Sequence, residues 1–148
     1  MQFIGNIEAK LDAKGRVFLP AAFRKCFDEG ISRMIMRKDI FENCLVLYPE
    51  TTWNNQLVEL RAHLSRWNER HQKLYRQFVS EAESLALDAN GRLLIPKRYL
   101  KMCSINQDVR FIGMGDTIEV WAKESADDVF ADAEEMGREL DKIMEIRH

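Results

Sequence analysis

Residues 11–24 read LDAKGRVFLPAAFR, and residues 87–100 read LDANGRLLIPKRYL, so the chain carries one motif twice. At an offset of 76 residues, six of the fourteen aligned positions are identical, and four others pair one apolar or aromatic residue with another. Internal similarity at a fixed spacing is the mark of a repeated structural unit. The chain is therefore predicted to contain two copies of one fold element.

Each copy begins with the features of a strand, a tight turn and a second strand. In the first copy, residues 6–11 and 17–19 have strand character, and residues 12–15 form the turn between them. Glycine adopts positive φ without strain, and aspartate accepts hydrogen bonds from nearby backbone amides, so this turn has a physical basis. The two strands are predicted to form a hairpin.

A short helix and a second hairpin are predicted to complete each copy. Pro20 and Pro96 end the second strand of the two copies and suit the first turn of a helix. We predict these helices at residues 21–27 and 97–103, and two further apolar stretches follow each of them. The unit is therefore a hairpin, a short helix and a hairpin.

The two copies are expected to share one body. Each spans about 45 residues, which is too few to bury a stable core alone, so repeats at 5–50 and 82–124 should pack together with pseudo-symmetry. The predicted class is α+β and rich in β, with a helical linker at 51–81 and a C-terminal helix at 125–148. Ser125 is the predicted N-cap of that last helix.

The linker has the pattern of an amphipathic helix. From Trp53 to Phe78, apolar residues recur at alternating spacings of four and three, which is the helical period. One helix of this length would leave much of its apolar stripe without a partner in so small a protein. We therefore predict two helices with a break near Asn68, and Thr51 or Thr52 as the first N-cap.

Charge is distributed unevenly along the chain. The net charge is −2, but residues 1–101 carry 17 basic and 12 acidic groups, whereas residues 102–148 carry 5 and 12. Salt limits the reach of a surface charge to about 8–10 Å, so a local basic face matters more for nucleic acid than the total charge. The net charge therefore does not exclude a nucleic-acid partner.

Several classes of protein find no support in the sequence. No apolar run approaches the roughly 18 residues of a membrane helix, and the N-terminus lacks the regions of a signal peptide, so we predict a cytoplasmic protein. Cys26, Cys44 and Cys103 lack metal-ligand spacing, and His63 and His71 are too far apart to share a metal on one helix. Without a catalytic or phosphate-loop motif, we predict no enzymatic activity, no metal and no cofactor.

The repeated turn supplies the candidate contacts to double-stranded DNA. An arginine guanidinium can bond to phosphate or to guanine O6 and N7, and a neighbouring lysine suits phosphate. The predicted DNA contacts are Lys14, Arg16, Asn90 and Arg92. An exposed carboxylate would repel phosphate, so the acidic and glycine positions are assigned to the turn itself. The predicted turn-forming residues are Asp12, Gly15, Asp88 and Gly91.

Two alternatives limit this assignment. Each Asp–Arg pair could be a salt bridge that only braces a hairpin. The second turn has Asn90 where the first has Lys14, so it carries one positive charge fewer and we expect Arg92 to contribute less than Arg16. The basic residues in and after the short helices are interpreted as ordinary solvated surface. They are Arg24, Lys25, Lys97, Arg98 and Lys101.

The duplicated motif also has a known counterpart. The two Asp-x-x-x-Arg motifs, and residues 44–49 followed by a Trp-bearing helix, resemble the MraZ family of bacterial transcriptional regulators over nearly the whole chain. The resemblance implies an AbrB-like swapped-hairpin or double-ψ β fold for each repeat and a ring-shaped homo-oligomer. It also implies nucleoid-associated binding to repeated G-rich boxes upstream of the operon for cell division and cell-wall synthesis.

Two hypotheses from different classes follow. The first is a sequence-specific transcriptional regulator in which a ring of subunits raises the effective concentration of individually weak DNA contacts. The alternative is a homo-oligomeric interaction scaffold in which the repeats serve only assembly. Salt separates them, because DNA binding weakens steeply as salt rises and scaffold assembly does not.

Overall fold

A computed structural model describes residues 2–25 and 33–146 and confirms the predicted α+β class. The strands are β1 (Asn6–Lys10), β2 (Arg16–Phe18), β3 (Arg33–Lys38), β4 (Leu45–Pro49), β5 (Glu83–Ala86), β6 (Arg92–Leu94), β7 (Asp108–Gly113) and β8 (Ile118–Ala122). The helices are α1 (Ala21–Arg24), α2 (Glu50–His63), α3 (Glu69–Ser80), α4 (Lys97–Met102), α5 (Lys123–Ala126) and α6 (Ala133–Ile146), with a 3-10 turn at Asp127–Val129.

The strands form one large sheet and one short ribbon, both antiparallel. The sheet has the order β1-β7-β8-β4-β3-β5, and the ribbon pairs β2 with β6. The outer strands are exchanged, since β1 of the first repeat pairs with β7 of the second and β5 of the second pairs with β3 of the first. Neither repeat therefore completes its sheet with its own strands.

The predicted hairpin at the start of each copy is wrong in its pairing. The turn at residues 12–15 is present, but β1 enters the large sheet whereas β2 pairs with β6 of the other copy. The physical reason is that Val17 of β2 and Leu93 of β6 are buried in the same core, so the two strands meet over it. The second hairpin of each copy, β3–β4 and β7–β8, is confirmed.

The large sheet separates two apolar layers. On one face, the fully buried side chains of Phe23 and Tyr99, from α1 and α4, join the main core beneath the β2–β6 ribbon. On the other face, Trp53 of α2 packs against Val46 and Tyr48 of β4. Strand β4 is buried on both faces, because its alternate side chains enter the two layers.

The predicted break in the linker is confirmed, with α2 and α3 on either side of it. The Asn68 side chain caps α3 by accepting a hydrogen bond from the backbone N–H of His71 at 3.1 Å. The predicted threonine cap is wrong, since α2 begins directly after Pro49 without a side-chain cap. Trp67 lies in the connection and is 98% exposed, so it does not belong to the buried stripe.

The short helices are close to their predicted ranges. Helix α1 ends at Arg24. The last two residues of the predicted helix, Cys26 and residue 27, lie outside the described residues. Helix α4 ends one residue before the predicted end at 103, where Cys103 follows. Both helices begin directly after the proline, as the sequence predicts.

The prediction of one C-terminal helix from residue 125 is wrong. Ser125 lies inside α5, and the chain becomes extended at Phe130 before α6 begins. The Asp132 carboxylate accepts a hydrogen bond from the backbone N–H of Glu135 at 2.8 Å and so supplies the cap for α6. From Ala133 to residue 145, every side chain of α6 is exposed. No described helix is long and apolar enough to cross a membrane.

Candidate nucleic-acid interface

The first turn is organised by one carboxylate. Oδ1 of Asp12 accepts hydrogen bonds from the backbone N–H groups of Lys14 and Arg16, both at 2.9 Å. Oδ2 pairs with Nε of Arg16 at 2.6 Å. Gly15 has a φ of +88°, which favours glycine, and its N–H donates to the Asp12 carbonyl at 3.0 Å. The turn therefore fixes both the backbone and the direction of the arginine.

The second turn repeats this geometry. Oδ1 of Asp88 accepts from the backbone N–H groups of Asn90 and Arg92 at 2.9 Å, and Oδ2 pairs with Nε of Arg92 at 2.8 Å. Gly91 has a φ of +82° and donates to the Asp88 carbonyl at 3.0 Å. Residues 12–16 and 88–92 therefore adopt the same arrangement, although Asn90 replaces a lysine.

Both carboxylates titrate below their ordinary range. The backbone N–H of Arg16, which donates to the carboxylate, is the main cause that lowers the pKa of Asp12. The backbone N–H of Arg92 does the same to the pKa of Asp88. Both groups are thus ionised at neutral pH, where each holds its arginine by charge as well as by hydrogen bonding.

The β2–β6 ribbon places the two arginines on one face. Arg16 lies opposite Leu94, and Phe18 lies opposite Arg92. The two arginines are therefore diagonal neighbours on the same side of the ribbon. In ordinary antiparallel geometry the Cα atoms of such a diagonal pair are about 7–8 Å apart. Leu94 and Phe18 are exposed beside them, whereas Val17 points into the core. This exposed surface of Arg16, Phe18, Arg92 and Leu94 is called the ribbon face below.

The arginines are less exposed than an open hairpin tip would make them. The side chain of Arg16 is 34% exposed and that of Arg92 is 24% exposed. The guanidinium of Arg92 also lies 5.8 Å from the ring centroid of Phe18. Because each Nε is used by the aspartate, the terminal N–H groups remain to face a ligand. Lys14 and Asn90 are both exposed on the turns beside them.

The two turns are tied to each other across the repeats. The backbone N–H of Leu19 donates to the Gly91 carbonyl at 3.1 Å, and the N–H of Ile95 donates to the Gly15 carbonyl at 3.0 Å. Each turn therefore receives a hydrogen bond from the residue that follows the ribbon strand of the other repeat. The two turns and the ribbon therefore form one hydrogen-bonded unit.

One basic side chain lies at a turn where the sequence does not place it. Arg24 of α1 packs over Gly91 of the second repeat, where an added Cβ would collide with Nη1 of Arg24 and would lie 3.2 Å from its Cδ. From sequence alone, Arg24 is expected to be ordinary solvated surface. The contact crosses 67 positions of the chain, so no local pattern could have indicated it.

The two described cysteines lie in the interior of the protein as free thiols. Cys44 and Cys103 are buried, and burial raises the pKa of both thiols, that of Cys103 to about 11. Both thiols are therefore protonated near neutral pH and are poor nucleophiles. Within residues 2–25 and 33–146, no group of three or more His, Cys, Asp or Glu side chains is placed to hold a metal ion.

Comparison with known proteins places this arrangement in a family. Residues 2–75 and 78–142 match the family model described as "MraZ protein, putative antitoxin-like". The chain belongs to the MraZ family. The two matched segments each contain one copy of the Asp-x-x-x-Arg turn, so the duplication is a feature of the match itself.

Similar MraZ proteins cover almost the whole chain. Transcriptional regulator MraZ of Phocaeicola vulgatus is 60% identical over 97% of this chain and 94% of its own length. The protein of the same name from Bacteroides thetaiotaomicron is 54% identical over 97% and 93%. A more distant one, from Clostridium tetani, is 34% identical over 82% of each chain.

Proposed function

We propose that this MraZ chain is a non-enzymatic transcriptional regulator that binds double-stranded DNA by sequence. Its target is the promoter of the operon for cell division and cell-wall synthesis, at short repeated boxes. The observation that carries the proposal is the ribbon face, where two arginines held by Asp12 and Asp88 point outward together. The names of the MraZ relatives, which are transcriptional regulators, support the same function.

The side chains of the ribbon face suit contact with DNA. A two-stranded β-ribbon fits the major groove, where arginine can bond to guanine O6 and N7. Lys14 and Asn90 are exposed at the two ends of the ribbon, and this position supports a role for them in contacting phosphates on either side. The apolar Phe18 and Leu94 between the arginines suit contact with the methyl group of thymine.

DNA binding is tested by comparing two arginine variants. We expect the parent to bind DNA with repeated G-rich boxes more tightly than scrambled DNA in fluorescence anisotropy. Arg16→Ala should weaken specific binding by roughly 1–3 kcal/mol per contact. Arg66→Ala, which removes an exposed arginine of the connection between α2 and α3, is the matched control and should bind like the parent. Equal binding by Arg16→Ala and the parent would leave the scaffold hypothesis in place.

The proposal includes a homo-oligomer in which a second copy of the chain covers the exposed apolar face of α6. The apolar residues Met136, Leu140 and Ile143 are exposed along one side of α6, and an exposed apolar stripe is typical of a protein interface. Helix α6 is acidic, and the exposed surface of α3 carries Lys73 and Arg76, so charge favours contact between α6 of one copy and α3 of the next.

Assembly is tested by mass. Light scattering at micromolar concentration should give a mass several times that of the 17.4 kDa chain. Leu140→Lys, which places a charge on the apolar face of α6, should lower that mass with no change in the circular dichroism spectrum of the sheet. A monomer for the parent would contradict the proposed assembly.

A further inference from the structure

The two turns differ in sequence, yet a contact between repeats compensates for the difference. Lys14 of the first turn is replaced by Asn90 in the second, which removes one positive charge. Arg24 lies over the glycine of the second turn, with its Cζ 3.3 Å from the position that a Cβ of Gly91 would occupy. The second turn thus receives a guanidinium from the first repeat.

The first turn has an apolar neighbour at the equivalent place. At the repeat offset of 76, Arg24 corresponds to Leu100. Cδ1 of Leu100 lies 3.6 Å from the position of a Cβ on Gly15. The first turn therefore has Lys14 and a neighbouring leucine, whereas the second turn has Asn90 and a neighbouring arginine.

We propose that Arg24 is a phosphate-binding residue of the second turn, supplied by the first repeat. The inference rests on the proposed function. Each turn then presents two cations to DNA, Lys14 with Arg16 at one and Arg24 with Arg92 at the other. The two ends of the ribbon then contact DNA with equal charge, so we expect Arg92 to contribute as much as Arg16, in contrast to the expectation from sequence.

The geometry supports a phosphate rather than a structural partner. Arg24 is exposed, and within residues 2–25 and 33–146 no carboxylate forms a salt bridge with it. Gly91 has no side chain, so the guanidinium can approach the backbone of the turn at its outer surface. A positive group held beside a DNA-binding turn by packing is positioned before the ligand arrives, which reduces the entropy lost on binding.

The salt dependence of DNA binding tests the inference directly. Each phosphate contact contributes about 0.9 to the log–log salt slope on duplex DNA. Arg24→Gln should lower the magnitude of the slope by the same amount as Lys14→Asn in the same oligomer. The double variant Arg24→Gln with Asn90→Lys moves the charge to the position that it has in the first turn, and it should restore the parental slope. Arg66→Gln, in the exposed connection between α2 and α3, is the matched control and should leave the slope unchanged.

Comparison of two DNA sequences identifies the group that Arg24 contacts. A phosphate contact should weaken binding to box-containing and scrambled DNA by the same factor. A loss confined to box-containing DNA would overturn the phosphate assignment in favour of a base. Circular dichroism and light scattering should match the parent, and Arg24→Lys, which keeps the charge, should keep the slope even if Arg24→Gln proves unstable.

The outcomes separate this inference from the proposed function. If the parent binds DNA and Arg16→Ala weakens it, but Arg24→Gln keeps the parental slope, Arg24 has no phosphate contact and the inference fails alone. If the parent shows no salt-dependent DNA binding, the proposed function fails as well.

Discussion

Asp12 and Asp88 place a negative charge beside the arginines proposed to contact DNA. The carboxylate reduces the net charge of each turn, but it accepts two backbone hydrogen bonds and fixes Nε of the arginine. A guanidinium held in one direction loses less side-chain entropy on binding than a free one. The pair is therefore both the salt bridge considered from sequence and a device that orients the terminal N–H groups of Arg16 and Arg92.

Acid should weaken both turns, because each turn is held by an aspartate carboxylate. Because the folded pKa values of Asp12 and Asp88 lie below the ordinary value of 3.8, the two carboxylates stabilise the fold above that value. Their contribution is lost as the pH falls through the lowered pKa values. Carbon-detected NMR titration should give midpoints below 3.8 for both groups, and the thermal unfolding temperature should fall as the pH is lowered from about 4 through those midpoints.

A pair of substitutions separates the carboxylate's charge from its hydrogen bonding. Asp12→Asn keeps an oxygen that can accept the backbone bonds, whereas Asp12→Ala removes it, so the alanine variant should unfold at the lower temperature. A midpoint for Asp12 at or above 3.8, or equal unfolding temperatures for the two variants, would contradict the role assigned to this group.

Strand β4 is the element on which the two layers depend. It lies between β8 and β3 near the centre of the sheet, and all five of its residues are buried. Its side chains reach the core beneath the ribbon on one face and Trp53 of α2 on the other. A defect in β4 therefore affects the support of the ribbon face as well as the packing of the linker helices.

We expect Leu47→Ala to lower the free energy of unfolding by about 2–5 kcal/mol, because it leaves a cavity at a fully buried site. Urea denaturation measures the change. The matched control is Val58→Ala on α2, where the side chain is 72% exposed, and it should change the free energy by about 0.5 kcal/mol or less. Similar losses for the two variants would mean that β4 is not central to the core.

The whole molecule is one body made from two exchanged halves. The β1–β7 and β3–β5 pairs join opposite repeats at the two ends of the sheet, and the β2–β6 ribbon joins them again above the core. The non-helical connection between α2 and α3 lies in the segment that links the halves in sequence, and Trp67 is exposed within it. Cutting there should separate the chain without removing any strand.

We predict that fragments 1–66 and 67–148 do not fold as monomers. Each fragment lacks the only partner of two of its strands, which are β1 and β2 in the first and β5 and β6 in the second. Its circular dichroism spectrum should therefore show little native sheet, and its urea unfolding should lack cooperativity. Mixing the fragments should restore both and give a 1:1 complex in gel filtration. A monomeric fragment with cooperative unfolding would show that one repeat suffices, contrary to the exchanged topology.

Local chemistry explains the parts of the fold and of the candidate site that could be predicted from sequence. The Asp12–Arg16 turn involves hydrogen bonds that span at most four residues, so residue type and spacing suffice to predict it. The break at Asn68 follows from a cap three residues from its donor. Ser125 failed as a cap because Asp132 begins the last helix instead, and several acidic residues in that segment are equally good candidates.

The sequence by itself determined the duplicated unit, the turn geometry and the helical linker, because each depends on neighbours along the chain. The tertiary structure alone decided that β2 pairs with β6, since that pairing depends on a core in which Val17 and Leu93 of the two strands are buried together. It also decided that Arg24 lies at Gly91. That contact joins residues distant in sequence, and it exists because the exchange brings α1 of one repeat against the turn of the other.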